Sequence, residues 1–184
     1  MRVDTDSVLI ERSIYGRPDA FTEVVRRHEV AVHGFLARRA GRQVADDLLA
    51  EVWLRAFAGR GGYDPGRPDA RPWLYGIARN VLRLHWRKDR DDAHHAVTDS
   101  HDPWDDVVDR LDSTARAGAL LPAVRALPPD ERDVLLLVAW EQLTPAQAAE
   151  VLGIPQGTAR SRLHRARAAL RPVLARTGHA EEDP

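Results

Sequence analysis

The sequence predicts an all-α protein made of two small helical domains that a flexible acidic linker joins. Almost every apolar segment repeats every three or four residues, which is the spacing of one helical face. No segment alternates apolar and polar residues as a half-buried strand would. Between the two helical regions, residues 91–115 are polar and rich in aspartate, with a proline at position 103, and they lack apolar periodicity.

The domain limits follow from these composition changes. We expect an N-terminal domain over residues 1–90, a linker over 91–115, a C-terminal domain over 116–178 and a tail over 179–184. The length of 184 residues and the hydrophobic content of 43% are enough for two small cores.

The formal net charge of −1 hides a strong segregation of charge along the chain. Residues 71–90 carry six basic residues and one acid, and residues 160–176 carry six arginines and no acid. Between them, residues 91–112 carry eight aspartates and one arginine. The neutral average therefore does not exclude a nucleic-acid partner, because two strongly basic segments remain.

The composition also excludes several classes of protein. Without cysteine the chain has no disulfides, no thiolate zinc site and no thiol catalysis. No stretch approaches the ~20 apolar residues of a membrane-spanning helix, and the acidic N-terminus lacks the apolar run of a signal peptide. We therefore expect a cytoplasmic protein with no direct membrane insertion.

Three helices are predicted in the N-terminal domain. Helical spacing covers residues 21–36 and 44–57, and a loop rich in glycine and proline covers 59–66. Helix resumes near Ala70, and six of its residues are predicted to point inward: Trp73, Leu74, Ile77, Ala78, Val81 and Leu82.

Residues 130–154 carry the local signals of a helix-turn-helix. An apolar helix is predicted over residues 130–140. Thr144, Pro145 and Gln147 then form a strong helix start, in which the threonine caps and the glutamine completes a capping box. This short helix stops at Gly153, a residue that tolerates the left-handed conformation, and Ile154 is predicted to enter the core.

The helix that follows, over residues 155–170, has two contrasting faces. At ~100° per residue, a narrow apolar stripe is formed by Ala159, Leu163, Ala166 and Leu170. The opposite face and its flanks carry small, polar and cationic residues: Gly157, Thr158, Arg160, Ser161, His164 and Arg165. Such a face fits the DNA major groove, where arginine donors reach guanine acceptors and phosphates, so we predict DNA binding.

Residues 143–167 resemble region 4 of the extracytoplasmic-function (ECF, group IV) sigma factors of bacterial RNA polymerase. Residues 157–167 are close to the family's signature, with Ala159 in place of the usual valine, and Pro155 replaces a residue that often caps. The resemblance implies that this domain contacts the β flap of the polymerase. It also implies that five residues contact the −35 promoter element: Thr158, Arg160, Ser161, His164 and Arg165.

Residues 45–57 resemble the region 2 segment that binds the clamp helices of the polymerase β′ subunit. The resemblance implies polymerase-binding roles for Asp46, Asp47, Leu48, Glu51, Trp53, Leu54 and Phe57. From the residues alone a second interpretation stands beside it. Asp47, Glu51 and Arg55 lie four residues apart, and this spacing fits an exposed row of intrahelical ion pairs.

Residues 71–88 combine positive charge with planar side chains. Arg79, Arg83 and Arg87 recur every four residues and form a cationic ridge suited to a phosphate backbone. Planar groups on which unpaired bases stack are added by Tyr75, His85 and Trp86.

This stretch is also similar to the family's segment that reads and melts the −10 element. The resemblance puts Asn80 where a flipped-out −10 base is bound, although a surface asparagine is the simpler interpretation of that residue alone. The predicted −10 site consists of Arg79, Asn80, Arg83, Trp86 and Arg87. Leu84 stands where the family often has aspartate.

The resemblance covers residues 6–90 and 116–176. It implies a sigma factor that binds core RNA polymerase, recognises the −35 and −10 elements of promoter DNA and nucleates melting. It further implies an anti-sigma partner, and neither a catalytic role nor a cofactor, metal or small-molecule substrate.

The residues leave two other classes of protein open. A helix-turn-helix regulator that works without core polymerase would need a sensor or receiver domain, for which the sequence shows no strand pattern. A metalloenzyme would have to use His94, His95 and His101, but the adjacent histidine pair lacks helical ligand spacing. The acidic tract itself is interpreted as a solvated spacer, with screening of the two basic segments as the alternative.

Overall fold

The computed structural model of the chain describes residues 4–93 and 115–178. Within these two ranges all regular structure is helical, which confirms the predicted all-α class. The chain divides into two units, one on each side of residue 100, and each unit is described by itself below. Most of the predicted linker and the whole predicted tail lie outside the described residues.

Over residues 4–93 the N-terminal unit has four α-helices: α1 (Asp6–Ile14), α2 (Ala20–Ala40), α3 (Arg42–Gly59) and α4 (Arg71–Ala93). A single 3₁₀ turn, Arg60–Gly62, begins the predicted glycine-rich loop. Helices α2, α3 and α4 agree with the apolar spacing, and α4 continues three residues past the predicted limit at residue 90. Helix α1 was not predicted, because nine residues give too few turns for a clear apolar period.

The core of this unit is formed by apolar side chains from all four helices. Fully or almost fully buried positions include Ile10, Val24, Phe35, Leu36, Val52, Leu74 and Leu82. Each such side chain contributes about 1.5–3 kcal/mol when it leaves water. Ala78 and Val81 are also buried, whereas Trp73 and Ile77 are only half-buried. Trp73, expected in the core, therefore lies at its rim, where its ring makes a T-shaped contact with that of Tyr63 at 5.1 Å between centroids.

Asp6 joins three helices of the N-terminal unit through one buried carboxylate. Its oxygens lie 3.2 Å from an Arg27 nitrogen and 2.7 Å from His28 Nε2, both on α2. It also accepts a hydrogen bond of 3.0 Å from the backbone N–H of Ala70, immediately before α4. Burial raises the pKa of Asp6, but the hydrogen bonds from His28 and Ala70 and the nearby positive charge outweigh it, so the pKa is lowered overall.

The C-terminal unit contains α5 (Ala115–Arg125), α6 (Pro129–Ala139), α7 (Pro145–Leu152) and α8 (Gln156–Gly178). The predicted limits of α6, and the start of α8, agree to within one residue. Helix α5 was not predicted, since Pro122 lies inside it and residues up to 115 were assigned to the linker. Helix α8 also extends past the predicted end at residue 170 and contains Pro172.

The predicted helix-turn-helix is confirmed in its local detail. The backbone N–H of Gln147 donates to Thr144 Oγ1 at 3.2 Å, and that of Thr144 donates to Gln147 Oε1 at 2.9 Å. Gly153 ends α7 in the left-handed region, with φ 67° and ψ 35°. Ile154 follows and packs against the core of the unit.

That core closes around the apolar stripe of α8. Ala159, Leu163, Ala166 and Leu170 are all buried, as their spacing predicted. They pack in one cluster with residues of α5, α6 and α7, among them Val124, Val134 and Ala149. The alanines allow α8 to approach its neighbours closely, and the leucines fill the space between them.

Replacing Asp6 by alanine should destabilise the N-terminal unit by about 3 kcal/mol, because it leaves Arg27, His28 and the Ala70 N–H without their acceptor. Since the folded-state pKa of Asp6 is lowered, its contribution is present above the unfolded value near pH 4. The contribution is lost as the pH falls through the folded value. Urea unfolding at pH 7 and at stepwise lower pH, followed by tryptophan fluorescence, measures both effects.

The matched control is Asp4→Ala. Asp4 pairs with Arg12 at an exposed position, and such pairs contribute no more than about 1 kcal/mol. Equal losses for the two variants would contradict the role given to Asp6.

Gly153→Ala should destabilise the C-terminal unit by about 1–2 kcal/mol, because alanine at positive φ is strained although no atom lies within 4 Å of the new methyl group. The control is Gly157→Ala, at a helical glycine with equally open surroundings. This second change should stabilise the unit by up to about 1 kcal/mol. Thermal unfolding of both variants distinguishes strain from a general effect of added bulk.

Candidate functional site

The predicted DNA-reading face of α8 is exposed in the C-terminal unit. Arg160, Ser161, His164 and Arg165 all lie on the solvent side, and Thr158 is half-buried at its edge. This arrangement follows from the burial of the apolar stripe, which turns the opposite face of the helix outward. The structure thus brings four of the five predicted −35 residues onto one open surface.

Arg165 is held in place by two neighbours within the C-terminal unit. Its Nε donates to Glu131 Oε1 at 2.6 Å, and its Nη1 donates to Ser161 Oγ at 2.9 Å. Glu131 lies in the first turn of α6. Sequence reasoning missed Glu131, because the two residues are 34 positions apart and no periodic pattern connects them.

A second arginine of α8 is also paired with α6. Arg162 forms an ion pair with Asp130, the residue before Glu131. The Arg162 side chain is only 21% exposed, compared with 56% for Arg165. Of these two arginines, Arg165 therefore presents much more of its surface to an approaching ligand.

An open groove of about 350 Å³ lies along α4 in the N-terminal unit. It is lined by Asn80, Arg83, Leu84, Trp86 and Arg87. Four of the five predicted −10 residues therefore border one space, which offers an amide, two guanidinium groups and an indole ring. Leu84, which stands where the resembled family often has aspartate, contributes an apolar wall.

Two other residues singled out in this segment, Tyr75 and Arg79, are not part of the groove lining. Tyr75 was expected to offer a planar surface to a base, but it is 2% exposed and packs against Phe35 with centroids 5.0 Å apart. It belongs to the core, because its position on α4 follows that of Leu74 on the inward face. Arg79 is half-buried and is not part of the groove lining.

The predicted polymerase-binding residues of α3 divide between surface and core. Asp46 and Asp47 are exposed, Leu54 is 67% exposed and Phe57 is 39% exposed. Leu48 is 9% exposed and faces the core, so the fold buries this member of the predicted set. Glu51 and Trp53 are half-buried.

The alternative ion-pair row is present only in part. Arg55 Nε lies 2.5 Å from Glu51 Oε1, which is one intrahelical pair. Asp46, which is not a member of that row, lies 3.1 Å from His33 Nε2 on α2. Leu54 and Phe57 therefore share α3 with charged groups that have local partners, Asp46 with His33 and Glu51 with Arg55.

Two negative findings concern only the described residues. In residues 4–93 and 115–178 no cluster of three or more histidine or acidic side chains is arranged to hold a metal ion. The histidines considered as ligands, at positions 94, 95 and 101, lie outside these ranges. Among the helices of the described ranges, none has the length and apolar character needed to cross a membrane.

Comparison with known proteins assigns both units to one family. Residues 24–91 match the family model of Sigma-70 region 2, and residues 117–170 match that of Sigma-70, region 4. The RNA polymerase sigma factor CarQ of Myxococcus xanthus is 36% identical over 167 residues, which cover 90% of this chain and 95% of CarQ. The ECF RNA polymerase sigma factor SigM of Mycobacterium tuberculosis is 32% identical over 177 residues, covering 92% of this chain and 85% of SigM.

A solved structure shows the same fold. The sigma factor RpoE of Bartonella quintana, in complex with the anti-sigma factor NepR, aligns with a TM-score of 0.62 at 21% identity. The alignment covers 84% of this chain and 96% of RpoE. With two region models and full-length relatives in agreement, the chain belongs to the extracytoplasmic-function (ECF) sigma factors, which direct RNA polymerase to promoters.

Proposed function

We propose that this sigma factor captures the opened −10 strand in the α4 groove. The observation that carries the proposal is the meeting of Asn80, Arg83, Trp86 and Arg87 around one space. A base taken out of a duplex needs a stacking surface, a hydrogen-bonding group for its edge and cations for the adjoining phosphates. The indole of Trp86 offers the stacking surface, and the amide of Asn80 offers the hydrogen-bonding group. The guanidinium groups of Arg83 and Arg87 are the cations.

The exposed face of α8 is the proposed reader of the −35 element. An α-helix fits the major groove, and arginine there reaches the O6 and N7 acceptors of guanine. Arg160 and Arg165 are exposed on this face, with Ser161 and His164 between them. Thr158, half-buried at the edge, is suited to a phosphate contact near the start of the helix.

The surface around Leu54 and Phe57 on α3 is the proposed contact for the β′ clamp helices of core polymerase. Exposed apolar side chains next to fixed charges are typical of a protein interface with an apolar centre and a polar rim. Asp46, Asp47 and Glu51 would provide that rim, with Trp53 packed beneath it. The C-terminal unit would meet the β flap.

The remaining parts of the proposal follow from the family. Polymerase supplies the nucleotidyl-transfer chemistry in the cytoplasm, and this chain supplies binding energy without a catalytic group or cofactor. An anti-sigma factor is the proposed regulator, by analogy with the NepR complex of the Bartonella protein. It would act by covering the polymerase- and DNA-binding surfaces.

Run-off transcription from a genomic library tests this function. Bacterial core polymerase should start specific transcripts only when this chain is added, and Trp86→Ala should reduce open-complex formation on those promoters by about tenfold. That loss corresponds to the ~1–3 kcal/mol of one stacked base. Potassium permanganate footprinting of the −10 region measures it.

The matched control for this groove variant is Trp140→Ala, at a partly exposed tryptophan of the C-terminal unit. It should leave melting of the −10 region unchanged. A chain that binds DNA but neither binds core polymerase nor starts transcripts would instead act as a helix-turn-helix regulator.

Leu54→Ala should weaken binding to core polymerase by about tenfold, because a large apolar side chain at the centre of an interface contributes of order 1.5 kcal/mol. Val30→Ala is the control, since Val30 is 79% exposed on α2 and does not belong to the proposed surface. Fluorescence anisotropy of the labelled chain titrated with core polymerase compares the two. Equal affinities for both variants would contradict the placement of the polymerase contact on α3.

A further inference from the structure

The contact between Glu131 and Arg165 links the frame of the helix-turn-helix to its DNA-reading face. Glu131 lies in the first turn of α6, and its side chain is 13% exposed. Arg165 lies on the exposed face of α8, and its side chain is 56% exposed. The largely buried carboxylate of Glu131 therefore binds one end of the Arg165 guanidinium group, while more than half of the Arg165 side chain is exposed to solvent.

The hydrogen bonds fix the orientation of that guanidinium group. Arginine has five N–H donors in a planar fork. One, on Nε, is used by Glu131, and one, on Nη1, is used by Ser161 Oγ. With two points of the plane held, the fork cannot rotate freely, and three donors remain for an external acceptor.

We propose that Glu131 is a positioning residue for promoter recognition. It sets the plane of Arg165 so that the free donors meet a base edge of the −35 element. It also offsets the charge of Arg165, which lowers the attraction of this side chain for phosphates of any sequence. The inference rests on the proposed role of α8 as the −35 reader and deepens it. Glu131 lies inside the matched range 117–170, but it is not among the residues that the resemblance implies to contact the −35 element.

Two physical features indicate that Glu131 orients Arg165 for DNA rather than blocking the access of Arg165 to DNA. Glu131 sits at the N-terminus of α6, where the helix dipole and the backbone N–H groups stabilise a carboxylate, so it stays in place when DNA approaches. Arg165 remains more than half exposed while it is paired, so the ion pair does not hide it. A side chain already held in its binding conformation loses less entropy when it binds, which favours the correct base sequence.

The neighbouring pair of Asp130 and Arg162 provides a matched comparison. It joins the same two helices, one residue earlier on α6, and it carries the same charges. Here the arginine is the more buried partner, at 21% exposed, and the aspartate is 68% exposed. Loss of Asp130 changes the net charge as loss of Glu131 does, but it does not release an arginine of the reading face.

The test uses holoenzyme assembled from core polymerase and the full chain. The probe is a promoter recovered by wild-type holoenzyme in run-off transcription, with the base pairs of its −35 element randomised. Sequencing of the transcripts gives the base preference at each position for five chains: wild type, Glu131→Ala, Arg165→Ala, Asp130→Ala and the Glu131→Ala, Arg165→Ala double variant.

Glu131→Ala should lower the base preference about five- to tenfold at the same positions that Arg165→Ala affects, in line with the discrimination of one arginine–base contact. Its binding to a scrambled duplex should become tighter and more salt-dependent, by up to about one phosphate contact. Asp130→Ala should leave the base preferences unchanged. In the Arg165→Ala background, loss of Glu131 should have no further effect, whereas a purely structural role of Glu131 would persist there.

The results distinguish a failure of the positioning role of Glu131 from a failure of the proposed sigma-factor function. If Arg165→Ala changes the preferences but Glu131→Ala does not, or if the two losses add in full, the positioning role is overturned and the −35 role of α8 stands. If Arg165→Ala leaves every preference unchanged while wild type transcribes, the assignment of Arg165 and this inference both fail. If wild type starts no transcripts, the proposed function fails with them.

Discussion

The packing of α8 on its own unit is the constraint on which the proposed DNA-reading surface depends. Ala159, Leu163, Ala166 and Leu170 bury one side of the helix against α5, α6 and α7. Because these four positions lie in one stripe, their burial fixes the rotation of the helix about its axis. The cationic residues on the other side are then exposed together, so the same packing that stabilises the unit also creates the surface that we propose reads DNA.

The N-terminal unit depends in a similar way on the contacts that orient α4. Asp6 fixes the start of this helix through the Ala70 N–H, while Tyr75 and Leu82 anchor its inward face. With the start and one face fixed, Asn80, Arg83, Trp86 and Arg87 border a common groove. The buried carboxylate of Asp6 is costly to desolvate, and it is stable there because Arg27, His28 and a backbone amide all pair with it.

The arginines of this chain differ in function although they look alike in the sequence. Arg55 pairs within α3, and Arg162 pairs with Asp130 and lies mostly buried. Arg165 is also paired, yet it keeps more than half of its side chain exposed. The positive charge of α8 therefore divides into residues that hold the unit together and residues that are available to a polyanion.

The sequence by itself determined the all-α class, six of the eight described helices, the capping box at Thr144 and the outward face of α8. Each of these depends on neighbours within four residues, which periodicity and capping patterns report directly. Only the tertiary structure decided that Leu48 and Tyr75 face the core, that the groove residues of α4 share one space, and that Glu131 and Asp6 hold distant elements. Helices α1 and α5 belong to this second group, because a short segment with few apolar turns is stabilised by packing rather than by its own pattern.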